Sequence, residues 1–208
     1  MSEATKSSVE AVVFDVGRVL VQWDMRCLLR KLYATEAEAE WAFRHVVTEE
    51  WHFRHDAGEN LATLVAERKA LFPDHAAAID AYATRFVETV PGPVEGTARL
   101  VERLANRRVP LYALTNFAES FWNQFRPTQP LFDHFRDIVV SGVEKIAKPD
   151  PAIYSLAERR FGHASGSLLF IDDNPANVAA AQTCGWQAVQ FTHAAALERE
   201  LVARGLLD

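Results

Sequence analysis

Five short apolar runs recur along the chain with helical patterns between them: Ala11–Val16 (AVVFDV), Leu111–Thr115 (LYALT), Ile138–Ser141 (IVVS), Leu168–Ile171 (LLFI) and Ala188–Phe191 (AVQF). The first is valine-rich and apolar apart from Asp15, the pattern of a strand covered on both faces. Between the runs, Thr97–Asn106 puts Leu100, Val101 and Leu104 on one helical face, and Pro151–Phe161 does so with Ile153, Leu156, Ala157 and Phe161. Asp150 followed by Pro151, and Asn174 followed by Pro175, each read as an N-cap with proline at the first helical position. Such alternation predicts an α/β fold, a Rossmann-like parallel sheet with helices on both faces and ligands at the carboxyl ends of its strands.

One interval breaks the alternation. From Asp24 to about Thr89 no strand pattern occurs, and Met25–Tyr33, Ala37–Val47, Leu61–Leu71 and His75–Thr89 read as amphipathic helices. Pro91-Gly92-Pro93 then ends the helical pattern. The expected organisation is a core of residues 1–23 and 92–208 with an inserted α-helical cap of residues 24–91. A length of 208 residues suits one such core, since a domain of this size buries roughly 70% of its unfolded surface.

Charge and cysteine content narrow the partners. Twenty-two basic and 28 acidic residues leave a net charge of −6, which argues against nucleic acid and favours small-molecule chemistry. Cys27 and Cys184 are far apart and form no Cys-x-x-Cys pair, so neither a disulfide framework nor a zinc site is expected. Met1–Glu10 lacks an apolar leader core, and no run approaches the roughly 18 apolar residues of a membrane span. The expectation is a cytoplasmic protein without a membrane partner.

Four polar sites stand at or just beyond strand ends: Asp15, Thr115 with Asn116, Lys148, and Asp172 with Asp173. Each alone has an ordinary reading as a cap, a turn, a solvated loop residue or a helix-dipole pair. Together they form a set for phosphoryl transfer. A carboxylate at a strand end is ionised at neutral pH and can attack phosphorus once the substrate's oxygens are neutralised. Two more carboxylates can complete a hard oxygen shell for Mg²⁺, while a lysine and a threonine hydroxyl can stabilise the transferring group.

With these residues the sequence resembles the haloacid dehalogenase (HAD) superfamily. Phe14-Asp15-Val16-Gly17-Arg18-Val19-Leu20 is similar to its first motif, Leu114-Thr115-Asn116 to its second, Lys148-Pro149-Asp150-Pro151 to its third, and Phe170-Ile171-Asp172-Asp173-Asn174-Pro175-Ala176-Asn177 to its fourth. An insert directly after the first motif resembles the subclass with a small helical cap. The resemblance implies that Asp15 is a nucleophile forming an aspartyl-phosphate. It assigns Mg²⁺ to Asp15, the carbonyl of Gly17 and Asp172, with Asp173 acting through water, and assigns Thr115 and Lys148 to the phosphate, with Asn116 beside them. Most phosphatases of the superfamily carry a second aspartate two positions after the nucleophile as general acid and base, and here that position is Gly17. A branch resembling alpha-glucose-1-phosphate phosphatase shares this Asp-x-Gly-x-Val pattern. A missing general acid matters least for a weakly basic leaving oxygen, so an anomeric sugar phosphate or an acyl phosphate is expected in preference to a simple alkyl phosphate.

Other residues carry open readings. Arg18 could clamp a phosphate or carboxylate, or pack over its loop. Asp24 is read as an N-cap, with a base as the alternative. Trp51–Gly58 concentrates aromatic, histidine and charged groups before a turn at Gly58, and such a loop could define the substrate pocket through His52 or His55. Three functions follow: a Mg²⁺-dependent phosphatase of a small phosphorylated metabolite, a metal-free 2-haloacid dehalogenase using Asp15, or a HAD scaffold turned binding module. The pair Asp172-Asp173 favours the first, because two carboxylates without a cation would repel both the nucleophile and an anionic substrate.

Overall fold

Ala11–Phe14 (β1) lies at the centre of a five-stranded parallel sheet, and all four of its residues are fully buried. The pleat explains its unbroken apolar run: Val12 and Phe14 pack into the apolar cluster on one face of the sheet, Ala11 and Val13 into that on the other. The computed structural model describes residues 8–208. Met1–Ser7, part of the expected core segment and of the stretch read for a leader, lie outside the described residues.

The remaining strands of this sheet are Leu111–Thr115 (β4), Asp137–Val140 (β5), Leu168–Asp172 (β6) and Gln187–Gln190 (β7). A two-residue antiparallel ribbon, Val21–Gln22 (β2) with Gly92–Pro93 (β3), completes the strands among the described residues. The main sheet runs β5-β4-β1-β6-β7. The chain therefore steps outward from β1 in one direction, then starts again at β6 and steps outward in the other. The crevice at such a reversal is where open α/β sheets hold ligands, and here it falls between β1 and β6.

Strand ends differ from the sequence reading by one or two residues. β1 stops at Phe14 rather than Val16, because the carbonyl of Val16 turns inward to accept from Leu20 N and Val21 N. Ser141 leaves β5 to open a short helix, Ser141–Glu144. The helices Thr97–Asn106 and Pro151–Phe161 have the expected bounds. Asp150 and Asn174 cap as expected, their side chains accepting from Ala152 N and Ala176 N at 2.9 Å each.

Residues 26–89 are helical: Arg26–Leu29 (α1), Glu36–His45 (α2), Glu49–Asp56 (α3), Leu61–Leu71 (α4) and Ala76–Thr84 (α5), with 3-10 turns at Pro73–His75 and Phe86–Thr89. The ribbon of β2 and β3 ties the two ends of this segment together. Two corrections apply. The expected helix His75–Thr89 is broken near Arg85, and Trp51–Asp56 is helix rather than loop. Thr48 starts that helix by accepting from Trp51 N at 3.1 Å, and its buried face is Trp51, His52, His55 and Asp56. A face built of indole, imidazole and carboxylate carries no aliphatic periodicity, which is why the pattern reads as a loop. No helix among the described residues is long and apolar enough to cross a membrane.

Candidate active site

The register of β1 and β6 pairs Phe14 with Ile171, and Asp15 N donates to Ile171 O at 2.8 Å. Asp15 and Asp172 thus leave adjacent strands side by side. Lys148 lies between them, with Nζ 2.9 Å from Asp15 Oδ1 and 2.7 Å from Asp172 Oδ2, and the lysine is 1% exposed. Asp172 is fully enclosed, its oxygens also accepting from Asn174 N at 2.8 Å and from Asn177 Nδ2 at 3.0 and 3.2 Å. Oxygen atoms of Asp15, Asp172 and Asp173 lie within 4.8 Å of one another. Burial pushes the Asp15 carboxyl up to about 7 against the pull of Lys148, with Asp172 adding repulsion. Asp173 is raised by burial and by Asp172. Burial alone would lower the Lys148 ammonium, but the charges of Asp15 and Asp172 outweigh it, and the amine is held above its ordinary value.

Thr115 ends β4, buried, next along the sheet from β1. Asn116 is spent on the backbone that carries the lysine: Nδ2 donates to Lys148 O and Oδ1 accepts from Lys148 N, both at 2.8 Å. Above the strand ends is a cavity of about 550 Å³. Asp15, Gly17, Asn116, Lys148, Asp173 and Asn177 line it from the sheet side, and Arg18 and Trp23 from the loop after β1. The opposite wall is α3, through Glu49, His52, Phe53 and Asp56.

Hydrogen bonds to the segments that follow β4 and β5, including the first turns of the helices there, hold α3 in place. Asp56 Oδ1 accepts from Ala118 N at 2.8 Å, Ser141 Oγ donates to Asp56 O at 2.5 Å, and His55 Nε2 lies 2.8 Å from Ser120 Oγ. Within the wall, His52 Nε2 lies 3.0 Å from Asp56 Oδ2. Its Nδ1 is hydrogen-bonded to the Tyr82 hydroxyl. At the cavity mouth Arg18 pairs with Glu49 and stacks 4.9 Å over Trp23.

Residues 9–185 match the model of the haloacid dehalogenase-like hydrolases. The chain belongs to this family. Among relatives, a sesquiterpene phosphatase from Aspergillus oryzae is 24% identical over 200 residues, covering 94% of this chain and 96% of the relative. A HAD family enzyme from Bacteroides thetaiotaomicron, in a crystal structure with magnesium and inorganic phosphate, has a TM-score of 0.66 at 19% identity, covering 89% of this chain and 96% of that one. L-2-haloacid dehalogenase from Xanthobacter autotrophicus, with chloropropionic acid covalently bound, has a TM-score of 0.64 at 20% identity, covering 96% and 85%. At these identities the two structures speak for the fold.

In this HAD-like hydrolase, Asp15, Lys148, Asp172 and Asp173 come together at one point, with Thr115 at the neighbouring strand end. Arg18 and His52 reach the cavity, whereas His55 does not line it. Asp24 lies outside the cavity wall and accepts from Arg26 N at 2.9 Å and Arg26 Nη1 at 3.1 Å, so it serves the first turn of α1 from one residue before the N-cap position, Met25. Sequence reasoning assigns no role to Trp23, Glu49, Asp56 or Asn177. For Asn177 a signal existed: it sits one helical turn past the Asn174 cap, on the side that faces the strand end.

Proposed function

We propose that this HAD-like hydrolase is a Mg²⁺-dependent phosphatase that cleaves a small phosphorylated metabolite through an aspartyl-phosphate on Asp15. The observation that carries this reading is the cluster of three carboxylates around one buried lysine. Three negative charges against one positive leave a deficit that a divalent cation fills, and all-oxygen donors suit Mg²⁺. Asn177 Oδ1 adds to the fit, being buried beside the cluster without a partner. Asp15, the Gly17 carbonyl, Asp172 and Asp173 would hold the ion. Asp173 is the freer of the two neighbouring aspartates, since Asp172 already serves Lys148 and Asn177. When bound, Mg²⁺ supplies positive charge to the phosphoryl oxygens and to the crowded carboxylates.

The chain's own residues then divide the work. Asp15 attacks phosphorus as the bond to the leaving oxygen breaks, and water later cleaves the Asp15–phosphorus ester to release phosphate. Lys148 neutralises the transferring group, with Thr115 as a hydrogen-bond donor. Asn116 fixes the Lys148 backbone. The helical segment 26–89 acts as a cap that shelters the reaction through α3. The free cysteines Cys27 and Cys184 suit the reducing cytoplasm in which we place the enzyme.

Two substrate classes fit this reading. The Asp-x-Gly pattern favours a sugar phosphate with a weakly basic leaving oxygen. The aromatic wall of Trp23 and half-exposed Phe53, together with the sesquiterpene phosphatase among the relatives, favours an apolar phosphate ester. Hydrolysis of p-nitrophenyl phosphate should require Mg²⁺, fall to background with chelator, and be lost in Asp15→Asn. A panel of hexose 1-phosphates, glycerol phosphate and prenyl phosphates then separates the substrate classes. Activity that survives both chelation and Asp15→Asn would refute the mechanism. Halide release from 2-chloropropionate would mark a dehalogenase, and silence on every phosphate ester a binding module.

A further inference from the structure

We propose that His52 and Asp56, acting as one hydrogen-bonded pair in the wall opposite the carboxylates, carry the proton that Gly17 cannot; the inference rests on the phosphatase reading above. Position 17 offers no group, and a Cβ built there would meet nothing within 4 Å, so the first atom of a side chain at this position is unobstructed. The titratable residues lining the cavity are Asp15, Arg18, Glu49, His52, Asp56, Lys148 and Asp173. Asp15, Lys148 and Asp173 belong to the carboxylate cluster, and Arg18 and Glu49 neutralise each other at the mouth. His52 and Asp56 remain, 3.0 Å apart with both side chains 7% exposed.

Their surroundings suit a proton that must be given and taken back. Asp56 is held at both oxygens, Oδ1 accepting from Ala118 N and Oδ2 facing His52 Nε2. Trp23, Phe86 and Phe121 pack against the ring at centroid distances of 4.8, 5.7 and 6.2 Å, holding it in one orientation. The Tyr82 hydroxyl donates to Nδ1, which leaves the ring's own proton on Nε2, facing Asp56 Oδ2. Burial and Asp56 keep that phenol from ionising.

The proton balance closes over one turnover. As Asp15 forms its bond to phosphorus and the bond to the leaving oxygen breaks, Asp56, carrying the pair's proton on the Oδ2 lone pair that His52 Nε2 does not occupy, gives it to that oxygen and the alcohol departs. In the second half, water attacks phosphorus, the Asp15–phosphorus ester breaks, and the water's proton returns to the pair.

The test uses size-matched esters whose leaving groups differ in basicity: p-nitrophenyl, phenyl and benzyl phosphate. In His52→Gln and Asp56→Asn, kcat/KM for benzyl phosphate should fall about 10²–10⁴-fold, the usual worth of a general acid, while p-nitrophenyl phosphate, whose leaving group needs no proton, should stay within about threefold. Phenyl phosphate should fall between them. An equal fall on all three esters would reduce the pair to a structural tie for α3, and an unchanged benzyl rate would exclude it from proton transfer. Asp15→Asn should lose all three in any case. Turnover of none of the esters by the unaltered enzyme would overturn the phosphatase reading and this inference with it.

Discussion

At the scale of single residues, Lys148 shows how one side chain organises a site. It is almost wholly buried, and an isolated buried ammonium would be costly. Asp15 and Asp172 on either side make its charge tolerable, and Lys148 in turn allows two strand-end carboxylates to stand together. Gly17 is the complementary case, a place where a side chain is missing but sterically welcome. The backbone there is not left-handed and the Cβ direction is open. Gly17→Asp in the His52→Gln background should therefore restore benzyl phosphate turnover by at least about tenfold, a modest share of a general acid's usual contribution. Steady-state kinetics of the single and double variants checks this, and a double variant no faster than His52→Gln would contradict it. Asp15, Thr115 and Asp172 were legible in sequence because each stands at the end of an apolar run, and Lys148 because it opens the Lys-Pro-Asp-Pro stretch that leads into a capped helix. Asp56 was not, because its meaning depends on Ala118 N and His52 reaching it in space.

At the scale of elements, α3 is the wall of the site and its attachment to the core decides the cavity's shape. His55 Nδ1 faces the carbonyl of Glu59 at 2.8 Å, so this nitrogen carries the proton and Nε2 accepts from Ser120 Oγ–H. Burial holds the His55 imidazole below its ordinary value. The sign follows from linkage: the unfolded state binds this proton more readily, so the stability is fully present above the unfolded value of about 6.5 and is lost as pH falls from there through the lower folded value. His55→Gln should be less stable than the unaltered protein at pH 8, and the gap should narrow by pH 5.5. Denaturant midpoints at the two pH values measure it, and a gap that widens on acidification would contradict the assignment. α3 escaped sequence reading for a related reason. Its buried face is polar and aromatic, satisfied by partners from the segments after β4 and β5 that no local pattern announces.

At the scale of the whole molecule, the two segments that sequence reading separates share one apolar core. Val12 and Phe14 of β1 belong to the same buried cluster as Trp51, Leu64, Ile79 and Tyr82 of the helical segment, with Phe117 and Phe121 between them. Phe86 stacks on Phe121 at 4.1 Å. Unfolding should accordingly be one cooperative transition, with a calorimetric enthalpy matching the van't Hoff value. Two resolved transitions in scanning calorimetry would show instead that the helical segment melts on its own. The sequence by itself determined the α/β class, the five strands of the main sheet, the caps at Asp150 and Asn174 and the polar residues at the strand ends, because those depend on local periodicity, proline geometry and the cost of placing charge beside a buried strand. Only the tertiary structure decided that β6 lies beside β1, that Lys148 bridges two carboxylates, and that α3 turns His52 and Asp56 toward them. Those contacts join residues far apart in the chain, and no local pattern records which distant partner will satisfy a buried charge or hydrogen bond.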